Sequence, residues 1–136
     1  MRTKAWQSAA FLLALMFGSV ACEKYVTKPV TRRPVISSVV AFPTLLGPGD
    51  STLVTIYATD PDGDPLVYDW EPYNGLYIES STHVGNNDRF NTSSRSMVFY
   101  RSTTFPYAID TAFVFCSVRD GKGGGDTRQV LILYKN

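Results

Sequence analysis

Two cysteines and one histidine in 136 residues leave little for a disulfide framework, a nucleophilic site or a transition-metal centre. With only Cys22 and Cys116, at most one bridge can form. His83 stands in a polar stretch with no nucleophile motif beside it, and no G-x-S-x-G, H-E-x-x-H or Cys–His cluster occurs. Carboxylate pairs for glycoside chemistry would have to come from turns, and a chain this small offers little cleft. The expectation is therefore that the protein is not an enzyme. Charge is scarce and balanced, at 18% of residues and a net +1. No basic patch interleaved with aromatics is present, which argues against a nucleic-acid surface. No apolar run reaches the ~20 residues of a membrane-spanning helix.

What is present starts with a leader. Arg2 and Lys4 precede nine apolar residues from Ala9 to Phe17, and Gly18-Ser-Val-Ala-Cys22 follows. This pattern predicts a signal peptide over residues 1–21. Ser19 and Ala21 occupy the small-residue positions of ordinary secretory cleavage, which would free a soluble chain beginning at Cys22. The same residues, Ser19-Val-Ala-Cys22, resemble the bacterial lipoprotein signal, although Ser19 stands where an aliphatic residue is usual. That resemblance implies that Cys22 is lipidated and becomes the first mature residue. Several acyl chains on one residue, at ~0.8 kcal/mol per buried CH2, hold a protein on a membrane where one chain is marginal. Glu23, in a position where Asp often signals inner-membrane retention, favours the outer membrane. The expected address is thus export and a lipid anchor in the bacterial cell envelope.

Residues 22–34 hold Pro29 and Pro34 among Lys24, Lys28, Arg32 and Arg33, and read as a short basic linker. Beside anionic headgroups each such charge gains ~1 kcal/mol, whereas in solution the segment is a solvated spacer. Residues 35–136 carry more acids than bases and are dense in Val, Ile, Thr, Tyr and Phe, with turn residues every ten or so positions. That pattern predicts a single all-β sandwich or barrel of about seven strands. The expected strands cover residues 35–42, 51–59, 66–71, 75–80, 95–101, 111–119 and 127–134. In the second, Val54, Ile56 and Ala58 oppose Thr55 and Tyr57; in the third, Leu66, Tyr68 and Trp70 oppose Val67 and Asp69. Residues 81–94 read as a polar loop. Asn91-Thr-Ser93 fits a glycosylation sequon, a match that a bacterial leader makes accidental.

Two segments carry a family resemblance. Thr59-Asp-Pro-Asp-Gly-Asp-Pro-Leu-Val-Tyr-Asp-Trp70 is followed some fifty residues later by Val114-Phe-Cys-Ser-Val-Arg-Asp-Gly-Lys-Gly-Gly124. Together they resemble an Ig-like antiparallel β-sandwich of the polycystic-kidney-disease (PKD) or cadherin-like type, over roughly Pro34 to Lys135. Glu71-Pro-Tyr-Asn-Gly75 departs from the PKD continuation after the tryptophan, so the cadherin-like branch is at least as close. The resemblance implies an Ig-like fold. Turn chemistry accounts for the motifs without a ligand: Pro61 presets φ, Asp62 and Gly63 tolerate unusual dihedrals, and the Asp60 side chain accepts local N–H groups. Trp70 is expected in the core, and Cys116 is expected to fill a core position beside Val114 and Val118.

Beyond Cys22, two kinds of site are candidates. Asp60, Asp62 and Asp64 alternate as hard oxygen ligands and could hold calcium with Asp120 or Asp126, although the two turns need not share an end of the sandwich. An EF-hand is excluded, because Pro65 takes the place of the required glycine. Phe113 and Phe115 alternate with Val114, Cys116 and Val118, so both faces of one strand are apolar. Either the segment 72–94, with Tyr73 and Tyr77, covers that aromatic pair, or a partner does. The expected function is an envelope-anchored binding module. Contact with an envelope protein comes first, a polysaccharide stacked on tyrosines second, and a calcium-stabilised structural domain third.

Overall fold

The computed structural model describes residues 30–78, 89–104 and 109–135. The expected leader, Cys22, the linker up to residue 29, residues 79–80 of an expected strand, and the loop segment 81–88 with His83 lie outside the described residues.

Among the described residues the chain is all strand and turn, with no helix. Nine strands form two facing sheets: β1 (Val35–Phe42), β2 (Leu45–Leu46), β3 (Ser51–Thr59), β4 (Val67–Tyr73), β5 (Leu76–Tyr77), β6 (Phe90–Thr92), β7 (Ser96–Arg101), β8 (Thr111–Arg119) and β9 (Gly125–Tyr134). One sheet has the order β1-β3-β7-β5, the other β2-β9-β8-β4-β6. All pairings are antiparallel except β2 with β9. This is a β-sandwich, the architecture that period-two alternation in long strands requires when only one face of each sheet can be buried.

The seven expected strands are present, three of them with the expected bounds. Two more were not foreseen. Leu45–Leu46 pairs in parallel with the end of β9, and Phe90–Thr92 pairs with β4 inside what reads as a polar loop. The expected strand at 66–71 begins one residue later and continues through Pro72 and Tyr73.

The core lies between the sheets. Val54, Ile56, Phe99, Trp70, Val114, Cys116, Val118 and Ile132 are fully buried. Burial of each large apolar side chain contributes about 1.5–3 kcal/mol relative to exposure. Trp70 packs a tilted ring 5.9 Å from Phe99, across the sandwich. Burial pushes the Cys116 thiol up to about 12, which makes it an inert core residue. Asp69 is also buried, contrary to simple alternation. The Arg119 guanidinium lies over its carboxylate, with Nε donating to Oδ2 at 2.6 Å.

One charged side chain ties the two sheets. Arg101, at the end of β7, is buried, and its Nη1 donates to the carbonyls of Leu46 and Lys135 at 2.7 Å each. Its guanidinium also lies 4.1 Å from the centre of the Tyr134 ring. The cation is thus held by two carbonyls and a π face, and this fastens the β2–β9 corner of one sheet to the other.

Candidate functional site

The segment after β3 folds as its composition dictates. Asp60 Oδ1 accepts the backbone N–H of Asp62 at 2.8 Å and of Asp64 at 3.2 Å, and Gly63 N–H closes the turn on the Asp60 carbonyl at 3.1 Å. Gly63 takes φ 76°, which glycine adopts without strain. The result brings a carboxylate oxygen from each of Asp60, Asp62 and Asp64 within 4.8 Å of the others.

Cations from two distant segments meet this cluster. Arg32 grips Asp62: its backbone N–H donates to Oδ2 at 2.6 Å, its Nε to Oδ1 at 2.8 Å, and its Nη2 reaches the Pro61 carbonyl at 2.6 Å. The Arg32 backbone and side-chain donors hold the Asp62 carboxyl below its ordinary range. Lys122, from the β8–β9 turn, donates Nζ to Asp64 Oδ1 at 2.6 Å, and that bond holds the ammonium pKa above its ordinary value. The two motif turns therefore share one end of the sandwich, a point that the sequence leaves open. What bridges them is a lysine rather than a set of carboxylates.

Asp120 and Asp126 have other tasks. Asp120 is buried and caps its own turn, its Oδ1 accepting N–H from Lys122 at 2.7 Å and Gly124 at 2.9 Å. The Lys122 amide, foremost among these donors, lowers its pKa. A Cβ at Gly124 would collide with Asp120 Oδ2 and crowd Arg33 and Pro34, so this glycine is required where the incoming chain crosses the turn. Asp126 Oδ2 accepts the Ile36 N–H at 2.9 Å, which lowers its pKa and fixes the start of β1. Neither residue joins the three-carboxylate group.

Asp60, Asp62 and Asp64 could hold a metal ion. Among the described residues, Asp60 Oδ2 and Asp64 Oδ2 are buried and have no hydrogen-bond donor, as a cation-facing oxygen would be. Both oxygens of Asp62 and Oδ1 of Asp64 already face Arg32 or Lys122. A hard cation that takes six to eight oxygens would have to displace one of these side chains or complete its shell from water.

The second candidate is aromatic. Phe113 and Phe115 on β8 and Tyr73 on β4 form one cluster on the outward face of the β2-β9-β8-β4-β6 sheet. Tyr73 stacks on Phe113 at 5.1 Å and meets Phe115 edge-on at 5.4 Å. Tyr73 Oη donates to Glu71 Oε1 at 2.7 Å, and Arg89 lies 3.2 Å from the other oxygen. The Tyr73 bond lowers the Glu71 pKa and raises that of Tyr73. Tyr77 is elsewhere: it sits on β5 in the other sheet, 5.7 Å from the Tyr100 ring. The expected four-residue surface thus reduces to Tyr73, Phe113 and Phe115. Register adds residues that sequence reading missed, since Leu131 lies beside Phe113, Leu133 beside Thr111, and Leu45 beside Leu133. All three leucines are exposed, Leu131 at 55%. The alternation of Leu131 and Leu133 with Ile132 and Tyr134 carries that signal in the sequence.

No protein-family model matches the chain, and no curated protein matches it either.

Proposed function

We propose that this protein is a non-catalytic Ig-like contact module, exported and lipid-anchored through Cys22 in the bacterial envelope, that engages a protein partner through the outer face of its five-stranded sheet. The observation that carries this reading is the continuity of Tyr73, Phe113 and Phe115 with exposed Leu131, Leu133 and Leu45. Tyr73 packs on the two phenylalanines, which remain half-buried, and the leucines extend the apolar surface to the sheet edge. Glu71 with Arg89 and Asp69 with Arg119 provide a charged rim around it, an apolar centre within a polar border.

The test is cross-linking of the full-length protein in its native membrane, followed by identification of what is captured. Leu131→Asp changes an exposed side chain and is expected to leave the melting temperature unchanged while abolishing capture of an envelope protein. Capture unaffected by Leu131→Asp and by Leu133→Asp would remove the reading. Retention on cell-wall polysaccharide, lost in the same variants, would replace protein contact with sugar stacking on the aromatic cluster.

A second reading follows from the unpartnered Oδ2 atoms of Asp60 and Asp64, namely that the acidic turn takes calcium as a structural ion. Calcium titration of chelator-treated full-length protein is expected to raise the melting temperature, and Asp60→Asn to cancel the rise. An unchanged melting temperature sinks this reading and leaves the turn to Arg32 and Lys122.

A further inference from the structure

Native sandwiches guard their open edges, and three of the four edge strands here are guarded by length. β2 and β5 have two residues each and β6 has three, and past β6 the β4 edge carries Pro72. The fourth, β1, runs for eight residues without a charge or a proline. Its hydrogen-bonding sides follow from the ladder. Ile56 N–H donates to the Arg95 carbonyl, so Ile56 faces β7, and its neighbours Thr55 and Tyr57 face β1. Their partners Val40 and Ser38 therefore face β3, while Val39 and Ala41 turn N–H and C=O to the open edge. Ile36 N–H points the same way, and Asp126 Oδ2 caps it at 2.9 Å. Among the described residues nothing caps Val39 or Ala41. The bulge between Ile36 and Ser38 closes the start of the edge. The stretch from Ser38 to Phe42 is open.

We infer that this stretch of β1 is a docking site for an extended segment of another protein, which adds to the β1-β3-β7-β5 sheet as an outer strand. What lies on either side of the edge specifies the occupant. On the outward side Val40 and Phe42 are exposed, Phe42 at 80%, and register continues Phe42 into Leu53 and Val98. Alternate side chains of the added strand therefore meet an apolar row. On the inward side lies β9. The bond from Ile36 to Asp126, and that from Leu133 N–H to the Thr44 carbonyl at 2.7 Å, align β1 and β9 in one direction. With the bulged residue discounted, Val39 stands level with Arg128 and Ala41 with Val130. Val39 and Val130 are half-buried at the rim of the core. The Arg128 side chain is 58% exposed and comes only within 3.9 Å of Asp126 Oδ2, an oxygen that already accepts the Ile36 N–H. The other Asp126 oxygen accepts the Thr127 N–H. The complementary segment thus has apolar residues outward, an apolar residue opposite Ala41, and a carboxylate opposite Val39, where it meets Arg128. The same arginine keeps a wholly apolar strand off the β9 edge, as inward-pointing charges do. This edge belongs to the sheet opposite the Tyr73, Phe113 and Phe115 surface.

The probe is a fluorescent synthetic peptide that alternates valine with threonine and carries one central glutamate, titrated against the full-length protein by anisotropy. Binding is expected to protect the Val39 and Ala41 amides from exchange and to leave the core strands unchanged. Val39→Pro removes an N–H that the β1–β3 ladder does not use, a change that edge strands tolerate, and is expected to weaken binding by about tenfold or more. N-methylation of the peptide at alternate amides is expected to do the same with the protein unaltered, so the test holds even where Val39→Pro fails to fold. Arg128→Gln should lower affinity for the glutamate peptide by about threefold and leave that of its glutamine counterpart unchanged. Absence of binding, or binding indifferent to N-methylation and to folded Val39→Pro, would overturn the proposal. So would protection of Val39 and Ala41 that grows with protein concentration in the absence of peptide, because a second copy would then occupy the edge. Leu133→Asp, which tests the surface on the other sheet, is expected to leave peptide affinity unchanged, so the two ideas fail separately.

Discussion

At the scale of single residues, Trp70 shows how much of this core is shape rather than hydrogen bonding. Its ring is fully buried against Phe99, yet among the described residues its Nε1–H has no acceptor. A buried donor without a partner costs about 1–3 kcal/mol, which offsets part of what the ring gains by burial. Trp70→Phe deletes that donor and keeps most of the packing, whereas Trp70→Ala opens a cavity. Urea unfolding is expected to give a loss of about 1–2 kcal/mol for Phe and about 3–5 kcal/mol for Ala. Equal losses would mean that the indole N–H is paired after all. Trp70 was legible in the sequence because its motif and its alternation with Asp69 both point to a core position. Arg101 was not. An arginine at the end of an apolar strand reads as a solvent-facing terminus, and only the carbonyls of Leu46 and Lys135, brought in by other strands, account for its burial.

At the scale of elements, the acidic turn is a clasp. Arg32 and Asp62 fasten the incoming chain, Lys122 and Asp64 fasten the last hairpin, and Gly124 lets Arg33 and Pro34 cross between them. Such exposed pairs are worth about 0.2–1 kcal/mol each, enough to bias the segment and not to lock it. Asp62→Asn is therefore expected to speed tryptic cleavage after Arg32 by ~2- to 5-fold, and raised salt to do the same in the native chain. An unchanged cleavage rate would show that Pro34 packing alone holds the segment. The turn itself was readable, since the geometry of Asp60-Pro-Asp-Gly63 is local. Its partners were not, because Arg32 and Lys122 reach it over 30 and 58 residues. The same distinction sorts the strands. β3 and β8 alternate over nine residues each, β1 alternates on either side of a bulge between Ile36 and Ser38, and all three match their expected bounds. β2 and β6 are two and three residues long, too short for a period, and exist only because β9 and β4 present open edges to them. The outward face of β1, β3 and β7 escaped notice for a related reason. Each strand shows one to three exposed apolar residues, which is ordinary, and only register aligns Phe42, Leu53 and Val98 into a surface.

At the scale of the whole molecule, the carboxylates gather their effect at the end where the chain enters the sandwich. Asp62, Asp120 and Asp126 each have a pKa held below the ordinary 3.8, chiefly by backbone N–H groups of Arg32, Lys122 and Ile36. A group whose folded pKa is depressed contributes stability that is full above its unfolded value and disappears as pH falls through the folded one. Lys122 has the opposite sign: its raised pKa gives stability that is full below the ordinary 10.5 and disappears as pH rises through the folded value. The melting temperature is therefore expected to form a plateau between about pH 5 and pH 9, with an acid loss below it. The alkaline loss above it is shared by Lys122 with the raised thiol of Cys116 and the raised phenols of Tyr73 and Tyr134, so Asp64→Asn should reduce it without abolishing it. Acid should also act locally before it acts globally. The amides of Arg32, Ile36, Lys122 and Gly124 all donate to these carboxylates, while Val54 and Val114 lie in strands whose bonds do not titrate. Amide exchange followed from about pH 5 down to pH 2 is expected to show protection lost at the first four residues while the core strands remain protected. A uniform loss would mean that the clasp end and the core open as one unit, and that the acidic turn adds nothing separable to the fold.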